Sequence, residues 1–229
     1  MIRIGYRGIE KAEVGMAQVR VDSFSISTDG FGAGLDQSLE QPLGFGGRAL
    51  HEWVFATKTG RSMIGKPGGS EGVDDARFRR NLEGSGSVVM GRNMFGPVRG
   101  PWEESEWRGW WGDDPPFHRP VFVLTHFERP DLVMGETTFH FVTDGLDEAL
   151  RRAHVAAGDG HVHVGGGVAT IRQLLAERII DELHLALVPI TLGSGEHLLR
   201  IGDWPEGYEV RNEVAGEGAT HIELVRTDT

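Results

Sequence analysis

The chain has 229 residues, a length that suits one α/β unit able to bury a core without staples. It contains no cysteine, which excludes disulfides, thiolate metal sites and cysteine nucleophiles together. With 34 acidic against 23 basic residues the formal charge is −11, the wrong sign for a nucleic-acid binder, and no apolar run approaches the ~20 residues of a membrane span.

Residues 1–15 read poorly as structure: either they form an arm or the natural start is Met16. A single domain is expected over 16–229. The N-terminus shows no signal-peptide pattern, so the expected compartment is the cytoplasm. From Met16 onward Val19, Val21, (Ser23), Phe24 and Ile26 suggest a first strand, closed by the turn cluster TDGFGAG at 28–34. Leu50, Trp53, Val54 and Thr57 at helical spacing predict a helix over 46–60, followed by a loop over 61–72. A second helix is predicted over 73–84, with Asp74 and Asp75 in its first turn and Gly84 as its stop. SVVMGRNMFG (87–96) reads as a short apolar strand running into Gly91, and 97–120 as a long loop holding four tryptophans. Strands follow at 120–126 and 137–143. Leu146, Ala149, Leu150 and Ala153 mark an amphipathic helix over 145–158. Residues 161–179 read as strand, glycine turn and helix, 182–193 as a strand interrupted at Pro189, and 208–227 as a terminal antiparallel hairpin. Strands alternating with helices predict a largely parallel sheet covered on both faces.

Two strand exits carry candidate chemistry. In VGGGVAT (164–170) three glycines open the backbone to a ligand, and the amides of the next helix can point at a phosphate. A tight turn with no ligand explains the glycines equally well. Thr170 stands where the third glycine of G-x-G-x-x-G belongs, so this is no conventional Rossmann fingerprint. In VVMGRNMF (88–95), Arg92 and Asn93 can donate to phosphate after Gly91. Two such turns at adjacent strand ends would suit a pyrophosphate.

Taken in order, STDGF (27–31), VVMGRNMF (88–95), FVLTH (122–126), VGGGVATIRQLL (164–175) and DELHLALVPITLGSGEHLL (181–199) resemble the dihydrofolate reductase-like superfamily. The similarity is strongest to the branch that contains the reductase domain of riboflavin biosynthesis, and it covers nearly all of the chain from Met16. The resemblance implies a three-layer α/β fold, with a twisted, mostly parallel sheet of about eight strands and a C-terminal antiparallel hairpin. It also implies NADPH laid across the carboxyl ends of the strands. By this resemblance Gly91, Arg92, Asn93 and Met94 bind the pyrophosphate and adenosine side, and Thr125 and His126 contact the adenosine ribose or its 2′-phosphate. Gly165, Gly166, Gly167, Val168, Ala169 and Thr170 cradle the pyrophosphate, and Ile26 to Ala33 approach the nicotinamide. Arg92, His126 and Arg129 supply the cations that a 2′-phosphate needs, although a solvated surface role explains Arg129 as well.

An ungapped count back from Gly91 puts Asp75 where the folate enzymes carry the carboxylate that contacts the pterin. Burial beside a ring would raise its pKa and let it help deliver a proton, whereas the helix dipole alone also explains an acid there. Asp29 and Trp53 are the substrate-pocket candidates. The segment between STDGF and Asp75 is longer than in the folate enzymes and lacks their Pro-Trp dipeptide, which argues against dihydrofolate itself as substrate. Trp102, Trp107, Trp110 and Trp111 could form a lid or, the favoured reading, an interface or packing unit. His161 and His163 share one strand face, yet no carboxylate or third histidine stands at matching spacing, so no metal is expected. The expected function is an NADPH-dependent reductase acting on C=N or C=O of a small flat heterocycle. The alternative is a nucleotide-binding or sequestration protein of the same fold without turnover. A homodimer is expected, with 181–193 and the hairpin as its interface.

Overall fold

β-Branched and apolar runs alternate along the chain with amphipathic ones, and the alternation sets which side of a central sheet each connection covers. The computed structural model describes residues 17–81, 83–96, 100–102 and 107–227; the expected arm 1–15 and positions 103–106 of the tryptophan-rich segment lie outside the described residues. The strands are β1 (Val19–Ser27), β2 (Phe31–Ala33), β3 (Ser85–Gly91), β4 (Pro120–Leu124), β5 (Leu132–Met134) and β6 (Thr137–Val142). They continue with β7 (His161–Gly166), β8 (Glu182–Val188), β9 (Glu196–His197), β10 (Tyr208–Ala215) and β11 (Thr220–Arg226). The helices are α1 (Glu52–Ala56), α2 (Lys58–Met63), α3 (Val73–Arg79), α4 (Arg92–Phe95), α5 (Leu146–Ala157) and α6 (Val168–Ala176).

Nine strands form one sheet in the order β10-β11-β8-β1-β7-β3-β4-β6-β5, and β2 pairs with β9 apart from it. The six strands from β8 to β6 are parallel, while β10, β11 and β5 add antiparallel edges. The ninth strand is β5, a three-residue edge too short to announce itself by alternation. Crossovers that move toward β10 carry α5 and α6 onto one face, and those that move toward β5 carry α1–α3 and the tryptophan segment onto the other. This is the division that right-handed connections require.

The first face buries Val19, Val21, Ile26, Val89, Val162, Val164, Leu183 and Leu185 against Leu150 of α5 and Ile171 and Leu174 of α6. On the opposite face, two apolar clusters sit apart. Val88, Met90, Val121, Val123, Phe139 and Phe141 pack under Phe95 and the tryptophans, while Ala186 and Val188 pack under Leu50, Trp53 and Val54. Strand β1 changes pairing register between Val21 and Phe24, and Ser23 takes φ 53°. This bulge absorbs the three-residue step from Val21 to Phe24, so apolar residues before and after it reach the same core.

The helix predicted over 46–60 is broken into a 3-10 turn at Gly47–His51, then α1 and α2. Thr57 interrupts it with an extended backbone (φ −74°, ψ 159°), and its hydroxyl caps α2 by accepting from the Gly60 amide. The strand predicted over 182–193 stops at Val188, because Pro189 has no amide to continue the ladder. Since β8 is hydrogen-bonded on both edges, it offers no free edge to a partner, whereas β10 lies at the rim of the sheet. No helix among the described residues is long and apolar enough to cross a membrane.

Candidate functional site

Parallel strands place successive carboxyl ends side by side, and in open α/β sheets ligands gather at that edge. Here β7, β3 and β4 are consecutive, with Met90 opposite Gly166 and Gly91 opposite Leu124. The two glycine turns separated in sequence are therefore neighbours in space. A Cβ built on Gly91 would lie 2.6 Å from Thr170 Oγ1 and 3.6 Å from the Gly167 nitrogen, so only glycine lets β3 pass this close to α6. Gly166 has φ 110°, a region that favours glycine, and the Gly166–Gly167 peptide is cis.

Gly167 is the N-cap of helix α6, which has no side-chain cap and no acidic residue in its first turn. Its first amides, at Val168, Ala169 and Thr170, precede the first helical hydrogen bond, which runs from the Ile171 amide to the Gly167 carbonyl. An uncapped, acid-free N-terminus suits an anion, because unpaired amides and the dipole both favour negative charge. Val168 and Thr170 are buried and Ala169 is exposed, so the turn opens along one side only.

A positive pair stands beside it. Arg92 opens α4, and its guanidinium lies 3.4 Å from the centroid of the Trp102 ring. Arg129, just beyond β4, lies 4.8 Å from the same ring and also near Phe95 and Phe141. Arg92 donates to the Gly96 carbonyl and Arg129 to the Trp107 carbonyl, but among the described residues neither meets a carboxylate. The Arg92 Nε atom is buried without a hydrogen-bond partner. Burial, followed by the neighbouring charge of Arg129, pushes the Arg92 pKa down to about 10, and burial lowers that of Arg129. Two guanidiniums held together with no acid among the described residues fit a phosphate group.

The remaining positions around α4 and β4 have plainer settings. Met94 and Phe95 give their carbonyls to the indole nitrogens of Trp110 and Trp107, which fastens the tryptophan segment over α4. Asn93 is half-buried beside them. Trp102, Trp107 and Trp111 pack on the Phe95 cluster, as the packing reading expected. Thr125 is buried, and its hydroxyl accepts from the Phe127 amide, while His126 is exposed at the end of β4.

On the substrate side the expectations need correction. Trp53 is 3% exposed and donates to Ser25 Oγ, so it belongs to the core and offers no ring face to a ligand. Asp29 is a loop pin: it accepts from Ser27 Oγ and from the amides of Leu192 and Gly193. Asp75 is buried, as supposed, but the effect on its acidity is reversed. Burial alone would raise its pKa. The Thr59 amide, donating at 2.7 Å, and the charges of Arg79 and Lys58 outweigh burial and hold it below the ordinary range. Its carboxylate ties the start of α2 to α3.

The missed component is a cleft of about 440 Å³ lined by Leu35, Asp36, Ser38, Gln41, Phe45, Leu192 and Ser194. Gly32 packs against Val168 and Phe24, and Gly34 against the Phe45 backbone, so one loop links the glycine turn to this cleft. Asp29 anchors its far wall through Leu192 and Gly193. No spacing rule in the sequence joins residues 35–45 to 192–194.

A family model described as "RibD C-terminal domain" matches residues 23–215. A crystal structure of a protein from Shewanella sp. PV-4, described as a riboflavin biosynthesis protein, superposes with a TM-score of 0.58 at 22% identity, covering 93% of this chain and 100% of that one. A dihydrofolate reductase from Enterococcus faecalis, complexed with NADP(H) and RAB-propyl, gives a TM-score of 0.42 at 21% identity, with 62% and 74% covered. No curated protein matches. The chain belongs to the RibD C-terminal domain family.

Proposed function

We propose that the protein is an NADPH-dependent reductase that acts on a C=N or C=O group of a small flat heterocycle. The observation that carries this reading is the contact of two glycine turns at adjacent parallel strand ends, Gly91 against Thr170, beside two guanidiniums that meet no acid among the described residues. In this reading Gly165 to Thr170 hold the pyrophosphate on the α6 amides. Arg92 and Arg129, with His126 at the rim, take the 2′-phosphate, while Asn93, Met94 and Thr125 line the adenosine side. Ile26 to Ala33 border the nicotinamide, and the cleft of Leu35, Phe45 and Leu192 receives the heterocycle. The reduced nicotinamide supplies a hydride to the electrophilic carbon, and the heteroatom takes its proton from water or an acidic group. The chain's part is to bind, orient and exclude solvent.

Asp75 enters this reading as an ionised positioning group that fixes α2, not as the proton donor. That observation is also what favours the second reading, a nucleotide-binding protein without turnover. The test is loss of reduced-nicotinamide absorbance with a panel of pterins, pyrimidines and quinones. Turnover with any of them supports the reductase; tight NADPH binding with no turnover across the panel supports the second reading.

A further inference from the structure

We infer that Asp22, His161 and His163 form a binding site for one divalent transition-metal ion of the zinc type, away from the dinucleotide edge. The three donors come from two neighbouring strands. On β7 the residues at 161 and 163 project to the same face, because side chains alternate along a strand, while Val162 and Val164 turn into the α5–α6 core. Strand β1 pairs alongside with Arg20 opposite His163, and its bulge follows directly after Asp22. A carboxylate 141 residues distant in sequence from His163 thus arrives where local spacing offered none.

The three donor atoms stand close enough together to share one ion. Asp22 Oδ2 lies 3.2 Å from His163 Nδ1 and 3.7 Å from His161 Nε2, and the three donor atoms all fall within 4.8 Å of one another. Ligands at ~2.0–2.2 Å from a tetrahedral zinc ion stand about 3.3 Å apart, so small side-chain adjustments suffice. The three side chains are 10%, 9% and 5% exposed for Asp22, His161 and His163. Arg20 approaches the other carboxylate oxygen, Oδ1, which leaves Oδ2 to face both imidazoles.

One atom separates a metal site from an ordinary Asp–His pair. His161 Nε2 is buried and makes no hydrogen bond, while its nearest acidic partner is the same Oδ2 already engaged by His163. An unpaired buried nitrogen is unfavourable in a purely structural pair, and coordination satisfies it. Two imidazoles and a carboxylate suit zinc, cobalt or nickel over magnesium or calcium. Asp22 also lines a cavity of about 120 Å³ shared with Arg77, Arg80, His184 and Glu223. His163 precedes Gly166 by three residues, about 10 Å along the strand, so the ion would clamp β1 to β7 without touching the dinucleotide.

The test uses the full chain, stripped with chelator and then titrated with zinc chloride and cobalt chloride. We expect one equivalent bound with a Kd of about 10 μM or tighter, a rise in thermal midpoint, and intense visible cobalt bands of a four-coordinate site. Asp22→Asn, His161→Gln and His163→Gln should each weaken binding about tenfold or more, while His118→Gln, at an exposed histidine, should not. Folded variants that bind as tightly as the parent would overturn the inference. Should the variants fail to fold, the parent protein decides: no binding tighter than about 0.1 mM, or only the weak bands of six-coordinate cobalt, would also overturn it.

Discussion

Gly91 is the residue on which the two candidate turns converge. A methyl group there would lie 2.6 Å from Thr170 Oγ1, so Gly91→Ala forces β3 and α6 apart. We expect a loss of about 1–3 kcal/mol in denaturant unfolding, together with weaker NADPH binding. Adding Thr170→Ala removes the obstructing hydroxyl and should recover at least half of the stability; no recovery would show that the clash is not the cause. Arg92 and Arg129 make a different claim, one about selectivity. Because neither has an acid partner among the described residues, replacing both with alanine should weaken NADPH about tenfold or more and leave NADH within about threefold. Equal losses for both cofactors would mean that the pair supports packing on Trp102 and not a 2′-phosphate.

At the scale of elements, the legible parts were those with a sustained period. The five apolar positions Leu146, Ala149, Leu150, Ala153 and Ala157 repeat along one face of α5, and the predicted 145–158 differs from the observed helix by one residue at each end. The eight strands with clear apolar patterning all joined the main sheet. What stayed hidden depended on contacts between distant segments. Thr57 breaks the predicted 46–60 helix through its own hydroxyl cap, a local competition that hydrophobic spacing does not report. The cleft beside Asp29 joins loops near residues 35–45 and 192–194, and Asp22 reaches His163 only through strand pairing. Asp75 was singled out by counting from Gly91, but its acidity depends on the Thr59 amide, which no count supplies. Asp75→Asn should lower stability by about 1 kcal/mol through the weakened tie between α2 and α3, with NADPH affinity changed less than about threefold. Unchanged stability with abolished turnover would restore the proton-donor role.

For the whole molecule, the sheet is stitched at its α1–α3 face by a buried polar chain that contributes to its response to acid. The Ser23 amide donates to His184 Nδ1, so His184 carries its proton on Nε2 and donates to His221 Nδ1; His221 Nε2 in turn donates to Asp74. The chain is satisfied with both histidines neutral. Burial, followed by the charges of His221 and Arg77, pushes the His184 pKa from 6.5 down to about 4, and burial also lowers that of His221. A depressed histidine leaves the unfolded chain holding more protons between those values. The contribution is therefore complete above pH 6.5 and lost as the pH falls toward about 4. Urea unfolding should show stability falling by on the order of 1–3 kcal/mol over that window, and His184→Gln should flatten the slope. An equal slope in the variant would place the acid sensitivity elsewhere. We also expect a homodimer; since β8 is internal, its interface would use the β10 rim and not the 181–193 segment, and a monomer in sedimentation would contradict this.

A dinucleotide site with a 2′-phosphate pocket is tested most directly by titration. The protein's six tryptophans include Trp102, against which Arg92 and Arg129 both lie, so quenching and energy transfer to the reduced nicotinamide report binding from within the site. NADPH and NADH titrated in parallel should give micromolar affinity for NADPH and at least about tenfold weaker affinity for NADH. Failure of both to bind would contradict the account and leave the glycine turns as turns alone.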